Sequence, residues 1–165
     1  MKSYLLGAVA SLAVTAPGLT QQSTPGERVE TLYEVISGPV GEARDWDRFR
    51  SLFLEGARMT VLTPGDDGVR ITSLSPDDYV ENAGPNLVRV GFIETETRRR
   101  TYQYGEMATI LSAYEGVRAD TGETIAVGIN TLVLVRQDGD WKIASIAWRP
   151  ADEAWPVETG FEAVE

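Results

Sequence analysis

The sequence predicts an α+β fold in which helices cover one face of a curved, mostly antiparallel sheet. Three observations predict it. Apolar residues recur at helical spacing only in the N-terminal half of the chain. From Gly91 onward the period is two and stays there as far as Arg149. Between the two regimes, turn residues Pro64 to Gly68 separate two short β-rich runs. Helical segments first and a long strand series last is the pattern of segregated layers rather than of alternating βαβ units. With 165 residues, 42% of them hydrophobic, the chain has the size of one domain and can bury a real core.

Residues 1–22 read as an address rather than as part of the fold. Lys2 supplies a basic start, Tyr4 to Ala16 carries no charge, and Pro17-Gly18 breaks the run before a polar stretch. This is the layout of a secretory signal peptide, with Ala13, Ala16 and Gly18 as small residues near alternative cleavage points. The run falls short of the roughly 20 residues of a membrane span. Without Cys there is no lipoprotein anchor, so the expected location is periplasmic or secreted, with no stable membrane anchor. The domain is expected over residues 25–150, with a tail over 151–165.

Thr24 before Pro25, with Glu27 three residues on, marks the start of a first helix over Pro25–Gly38. Val29, Leu32, Tyr33 and Ile36 form its apolar stripe, and Gly38-Pro39 stops it. A second helix is expected near Ala43–Leu54, with Trp46, Phe49, Leu52 and Phe53 on one side and Gly56 as its cap. Arg58–Thr63 and Val69–Leu74 read as paired strands. Ser75-Pro76-Asp77-Asp78 opens a third helix carrying Tyr79, Val80 and Ala83, interrupted at Gly84-Pro85. Four strands follow, Phe92–Tyr104, Met107–Gly116, Thr124–Gln137 and Asp140–Arg149, and Asp138-Gly139 is the strongest hairpin signal in the chain.

Composition excludes several chemistries. No Cys and no His removes disulfides, thiol nucleophiles, Ser-His-Asp triads and the common zinc and iron sites. Twenty-five acids against 15 bases give a net charge of −10, which disfavours nucleic acid as a partner. Asp77, Asp78, Asp45 and Asp47 are acids at helix starts, where the macrodipole accounts for them, and no metal or cofactor is expected. What remains for chemistry is Asp, Glu, Tyr, Ser, Thr, Arg and Lys.

The element order, together with the phrases Trp46 to Phe53, Gly128 to Leu132 and Trp141 to Trp148, resembles the nuclear transport factor 2-like superfamily over roughly residues 26–150. The nearest likeness is to uncharacterised exported bacterial members. The resemblance implies a cone, in which the sheet wraps the N-terminal helices and leaves an apolar pocket at the open end. It also implies a range of activities, from ketosteroid isomerases, SnoaL-type polyketide cyclases and dehydratases to non-enzymatic binders, and fold alone does not choose among them. In the isomerases a Tyr and a carboxylic acid hydrogen-bond a developing oxyanion while an Asp moves the proton. Tyr33 matches that Tyr, Asn130 stands where the hydrogen-bonding acid would be, and the proton-transferring Asp is matched by Val61, with Leu62 beside it.

Five residues are therefore singled out. Glu94 and Glu96 are the candidate catalytic acids. They alternate with Arg98 and Arg100, so the ladder reads either as a polar pocket rim or as an exposed face of weak ion pairs. Tyr33, Asn130 and Trp148 are the candidate ligand contacts, each with a core reading beside it. The leading expectation is an exported domain binding a small apolar or aromatic molecule. The alternatives are a cofactor-free isomerase, cyclase or dehydratase using a pocket Glu, and a homodimeric interaction module joined through the sheet.

Overall fold

A computed structural model describes residues 23–162; the expected signal peptide lies outside the described residues. Helix α1 spans Pro25–Ile36 behind a reciprocal capping box between Thr24 and Glu27. Helix α2 is a short turn of helix, Trp46–Ser51, capped by Asp45, whose side chain accepts from the Arg48 amide. It is shorter than its apolar pattern suggests, because Phe53 already belongs to strand β1, Phe53–Gly65. Strand β2 is Gly68–Leu74, and helix α3 runs Pro76–Val90 behind a second capping box, Ser75 with Asp78. Gly84-Pro85 does not interrupt α3. Pro85 is on the exposed side, while Gly84 lies buried against the Trp46 indole, so the helix keeps its packing through the proline.

Strands β3 (Phe92–Tyr104), β4 (Met107–Arg118), β5 (Thr124–Gln137) and β6 (Asp140–Pro150) form the meander. Asp138 and Gly139 both take positive φ, 52° and 85°, as a two-residue hairpin turn with the right twist demands. The sheet order is β2-β1-β6-β5-β4-β3, antiparallel throughout except where β1 runs parallel to β6. That pairing sets the N-terminal hairpin against the last strand, with α1 packed on β3, β4 and β6 and with α2 and α3 on β1. The residues between α1 and α2 are joined to β3 by a bridge between Gly38 and Phe92.

The core lies between that face and the helices. Val29 and Leu32 of α1 and Phe49 of α2 pack on Ile110, Leu132, Leu134, Trp141 and Ile143, all essentially without solvent contact. On the opposite face the tail forms a short 3₁₀ helix, Val157–Phe161. Phe161 is buried beneath the Arg98 guanidinium, 4.5 Å from its ring centroid, and Arg100 donates to the Phe161 carbonyl at 2.5 Å. Part of the sheet's outer face is thus occupied by the chain's own end.

One buried cation organises the helix layer. Arg44, 7% exposed, donates to the carbonyls of Ile36 (3.0 Å), Gly38 (2.7 Å) and Leu87 (3.2 Å), and also to those of Pro39 and Glu42. It therefore satisfies the exposed carbonyl end of α1, the following turn and a carbonyl of α3 with a single planar fork. Gly38 is needed at this point, since a Cβ there would lie 2.4 Å from the guanidinium.

Candidate functional site

A cavity of about 170 Å³ lies between the helices and the sheet. Leu32, Tyr33 and Ile36 of α1, Phe49 of α2, Met59 of β1 and Tyr79 and Leu87 of α3 line one side. Phe92 and Glu94 of β3, Tyr114 of β4, Ala126 and Asn130 of β5, and Ile146 and Trp148 of β6 line the other. Tyr79 stacks on Phe49 at 5.4 Å between ring centroids and meets Trp148 edge-on at 6.1 Å. The lining contains no Lys or Arg.

Four of the five residues singled out in the sequence line this cavity: Tyr33, Glu94, Asn130 and Trp148. The charged ladder does not stay on one face. A bulge between Glu96 and Arg98 shifts the register, so that Glu96 stands opposite Tyr114 while Arg98 stands opposite Ala113. Glu94 and Glu96 consequently turn inward, Arg99 follows them, and Arg98 and Arg100 are sent to the outer face against Phe161. Strict alternation across Thr97 would have kept all four together. The bulge is the reason it fails.

Glu96 does not line the cavity. Its carboxylate is held by Arg99, which also reaches Glu30 on α1 at 3.1 Å, and it accepts from the Ser112 hydroxyl at 2.5 Å. Ser112, fully buried, lies 2.6 Å from the Tyr33 hydroxyl, and the Asn130 amide nitrogen donates to Tyr33 at 2.9 Å and to Glu94 at 3.4 Å. Ser112, Asn130 and Trp148 are direct neighbours across β4, β5 and β6. A polar row thus crosses an otherwise apolar wall.

Among the described residues, no cation pairs with Glu94. Burial among apolar and aromatic groups pushes its carboxyl up from 4.5 to about 7, opposed only by the Asn130 amide. Burial also raises the phenols of Tyr33, Tyr79 and Tyr114 well above their ordinary value, reinforced by the nearby Glu94 charge. All three therefore remain neutral hydroxyls at neutral pH. The Tyr114 hydroxyl fits because Gly128 faces it; a Cβ at Gly128 would approach it to 2.7 Å.

Sequence reading missed Tyr79, Tyr114 and Ser112. The two tyrosines sit among apolar strand or helix neighbours and read as core, and a serine in a strand carries no signal of its own. The residue of β1 that reaches the cavity is Met59 rather than Val61. Neither side chain can move a proton, so the wall contributed by β1 is chemically inert. Among the described residues, no group of three acids stands close enough to hold a metal ion.

No protein-family model matches the sequence, and no curated protein sequence matches it significantly. Solved structures do match in shape. An NTF2-like candidate dehydratase from Streptomyces avermitilis superposes with a TM-score of 0.57 at 16% identity, over 77% of this chain and 93% of the other. This chain has the nuclear transport factor 2-like fold. An NTF2-like protein of unknown function from Pseudomonas putida agrees, with a TM-score of 0.56 at 12% identity over 80% of this chain and 89% of the other. So does a protein of unknown function with a cystatin-like fold from Nostoc punctiforme, at 0.60, 9%, 78% and 89%.

Proposed function

We propose that this chain is an exported small-molecule-binding protein whose ligand is neutral, mostly apolar and about the size of one ring. The observation that carries the reading is the cavity itself. Its volume of about 170 Å³ compares with the roughly 150 Å³ apolar cavity that accommodates benzene in an engineered core. Its walls are aromatic and aliphatic, with Glu94 and the tyrosine hydroxyls as the polar end. A ligand carboxylate would meet Glu94 and no cation, so anions are disfavoured. Thermal shift at pH 6 tests this: phenol or cyclohexanone is expected to raise Tm and benzoate is not. Absence of stabilisation by every neutral ring, or a preference for benzoate, contradicts it. Export is supported by the layout of residues 1–22, and the mature N-terminus of periplasmic material, read by mass spectrometry, checks it.

A second reading is favoured by one specific observation. Glu94, inward-facing on β3 with its carboxyl pushed up to about 7, is poised as a general acid or base in a cavity whose β1 wall lacks the family's Asp. In this reading the protein is a cofactor-free isomerase, cyclase or dehydratase, in which Glu94 shuttles a proton on a substrate that stacks against Trp148 and Tyr79. A homodimer through the outer sheet face is less well supported, because residues 157–161 already cover part of that face.

A further inference from the structure

The hydrogen-bonded row behind the cavity has a direction, and its direction is set by Glu96, a residue that does not line the cavity. Glu96 is a carboxylate clamped by Arg99, and a carboxylate only accepts. The Ser112 hydroxyl has one proton, and at 2.5 Å from Glu96 it gives that proton to the acid. Ser112 can then only accept from Tyr33, which spends its own proton in the 2.6 Å contact. Tyr33 in turn can only accept from Asn130, so the Asn130 amide must present its NH₂ and not its carbonyl. The second hydrogen of that NH₂ faces Glu94.

We infer that Glu96, acting through Ser112 and Tyr33, is a positioning residue that fixes the Asn130 amide with its NH₂ toward Glu94. Two consequences follow for the site. Tyr33, although it lines the cavity, has no proton to offer a ligand and acts as a relay. The polar end that meets the ligand consists of the Glu94 carboxyl with the hydroxyls of Tyr79 and Tyr114. The ligand class proposed above, a neutral ring, is thereby narrowed to one bearing a single carbonyl or hydroxyl group; this narrowing rests on that reading, while the direction of the chain does not. The groups that face Glu94 are Tyr33 from α1, Tyr79 from α3, Tyr114 from β4 and Asn130 from β5, none of them charged at neutral pH.

The test is the pH titration of the Glu94 side-chain carboxyl carbon, followed by ¹³C NMR on the ligand-free protein, and assigned by its loss in E94Q. In Ser112→Ala, and separately in Glu96→Met, the anchor of the chain is gone. Tyr33 is then free to donate to the Asn130 carbonyl, and the amide turns its oxygen toward Glu94. The midpoint is expected to rise by about one pH unit in each variant. The double variant is expected to rise no further than either single one, because both break the same chain. Tyr33→Phe keeps the core volume and checks the middle of the relay: its midpoint should rise by an amount between zero and that of S112A. Folded S112A and E96M proteins whose Glu94 titrates where the wild type does would overturn the inference, as would strictly additive shifts. Failure of every ring probe to bind would leave these titrations unchanged, so the two proposals fail separately.

Discussion

Replacing Glu94 by Gln is expected to leave stability unchanged at pH 4 and to raise it by about 3 kcal/mol at pH 8. Below the unfolded-state value of 4.5 the carboxyl is protonated in both states and costs nothing. As pH rises from there to about 7, the unfolded chain ionises while the folded one holds its proton, so the wild type loses stability through that window. Above it the penalty is constant. Gln keeps the shape and the contact with Asn130 but never ionises, so it escapes the loss. Urea unfolding of both proteins at the two pH values reads the difference directly, since the other titrating groups are common to both. A variant no more stable than wild type at pH 8 would mean that Glu94 is hydrated or paired in the folded protein. The gain bears on the proposed function: a carboxyl kept in an apolar pocket at a cost to stability is a candidate group for chemistry or recognition.

The largest loss is expected at Arg44. Arg44→Met fills much of the same volume but withdraws the guanidinium from the carbonyls of Ile36, Gly38 and Leu87, leaving the Gly38 carbonyl only the Phe92 amide. Each buried carbonyl left dry costs about 1–3 kcal/mol. With partial rescue by water, the sum is about 3–5 kcal/mol, or a fall in Tm of roughly 10 °C or more. Arg44→Lys should recover less than half of this, because one ammonium cannot span carbonyls from α1, the turn and α3 at once. The same change should loosen the cavity, since Ile36 and Leu87 both line it. Differential scanning calorimetry of the two variants checks the order; equal stability of wild type and R44M would show that the helix layer is held by its apolar contacts alone.

These two residues also mark the boundary of what sequence could reveal. Capping residues, period and turn chemistry act locally, which is why the start of α1, the Asp138-Gly139 hairpin and the four strands of the β3–β6 meander are legible in the sequence, with β4 ending two residues and β6 one residue later than expected. The parallel pairing of β1 with β6 is a contact between distant segments, and no local signal announces it. The helical stripe runs past the end of α2 because Phe53 fits it as well as a buried strand position, and tertiary pairing with Ile143 decides for the strand. Arg44 sits alone in a polar loop and looks like a surface charge until the carbonyls around it are seen.

The site shows the same division. Asn130 stood out because an amide on an apolar strand face demands a partner, and it has two. Glu94 and Glu96 stood out as a ladder, yet alternation alone assigned them to the same face as Arg98 and Arg100, and a single bulge undid that. Tyr79 and Tyr114 were invisible because an aromatic among apolar neighbours is ordinarily core, and only the geometry of the cavity shows their hydroxyls near Glu94. The absence of His and Cys, which removed most familiar catalysts at the outset, leaves this one unpaired carboxyl as the chemically distinctive group in the cavity.

The central claim, that this cavity receives a neutral ring, is tested most directly by titrating phenol into ¹⁵N- and ¹³C-labelled protein at pH 6 and mapping the shifted NMR signals. The account predicts saturable shifts centred on Trp148, Tyr79, Tyr114 and the Glu94 carboxyl, with the outer face around Phe161 unmoved. Shifts that never saturate, or that centre on the outer face and leave Trp148 and Glu94 in place, would contradict it.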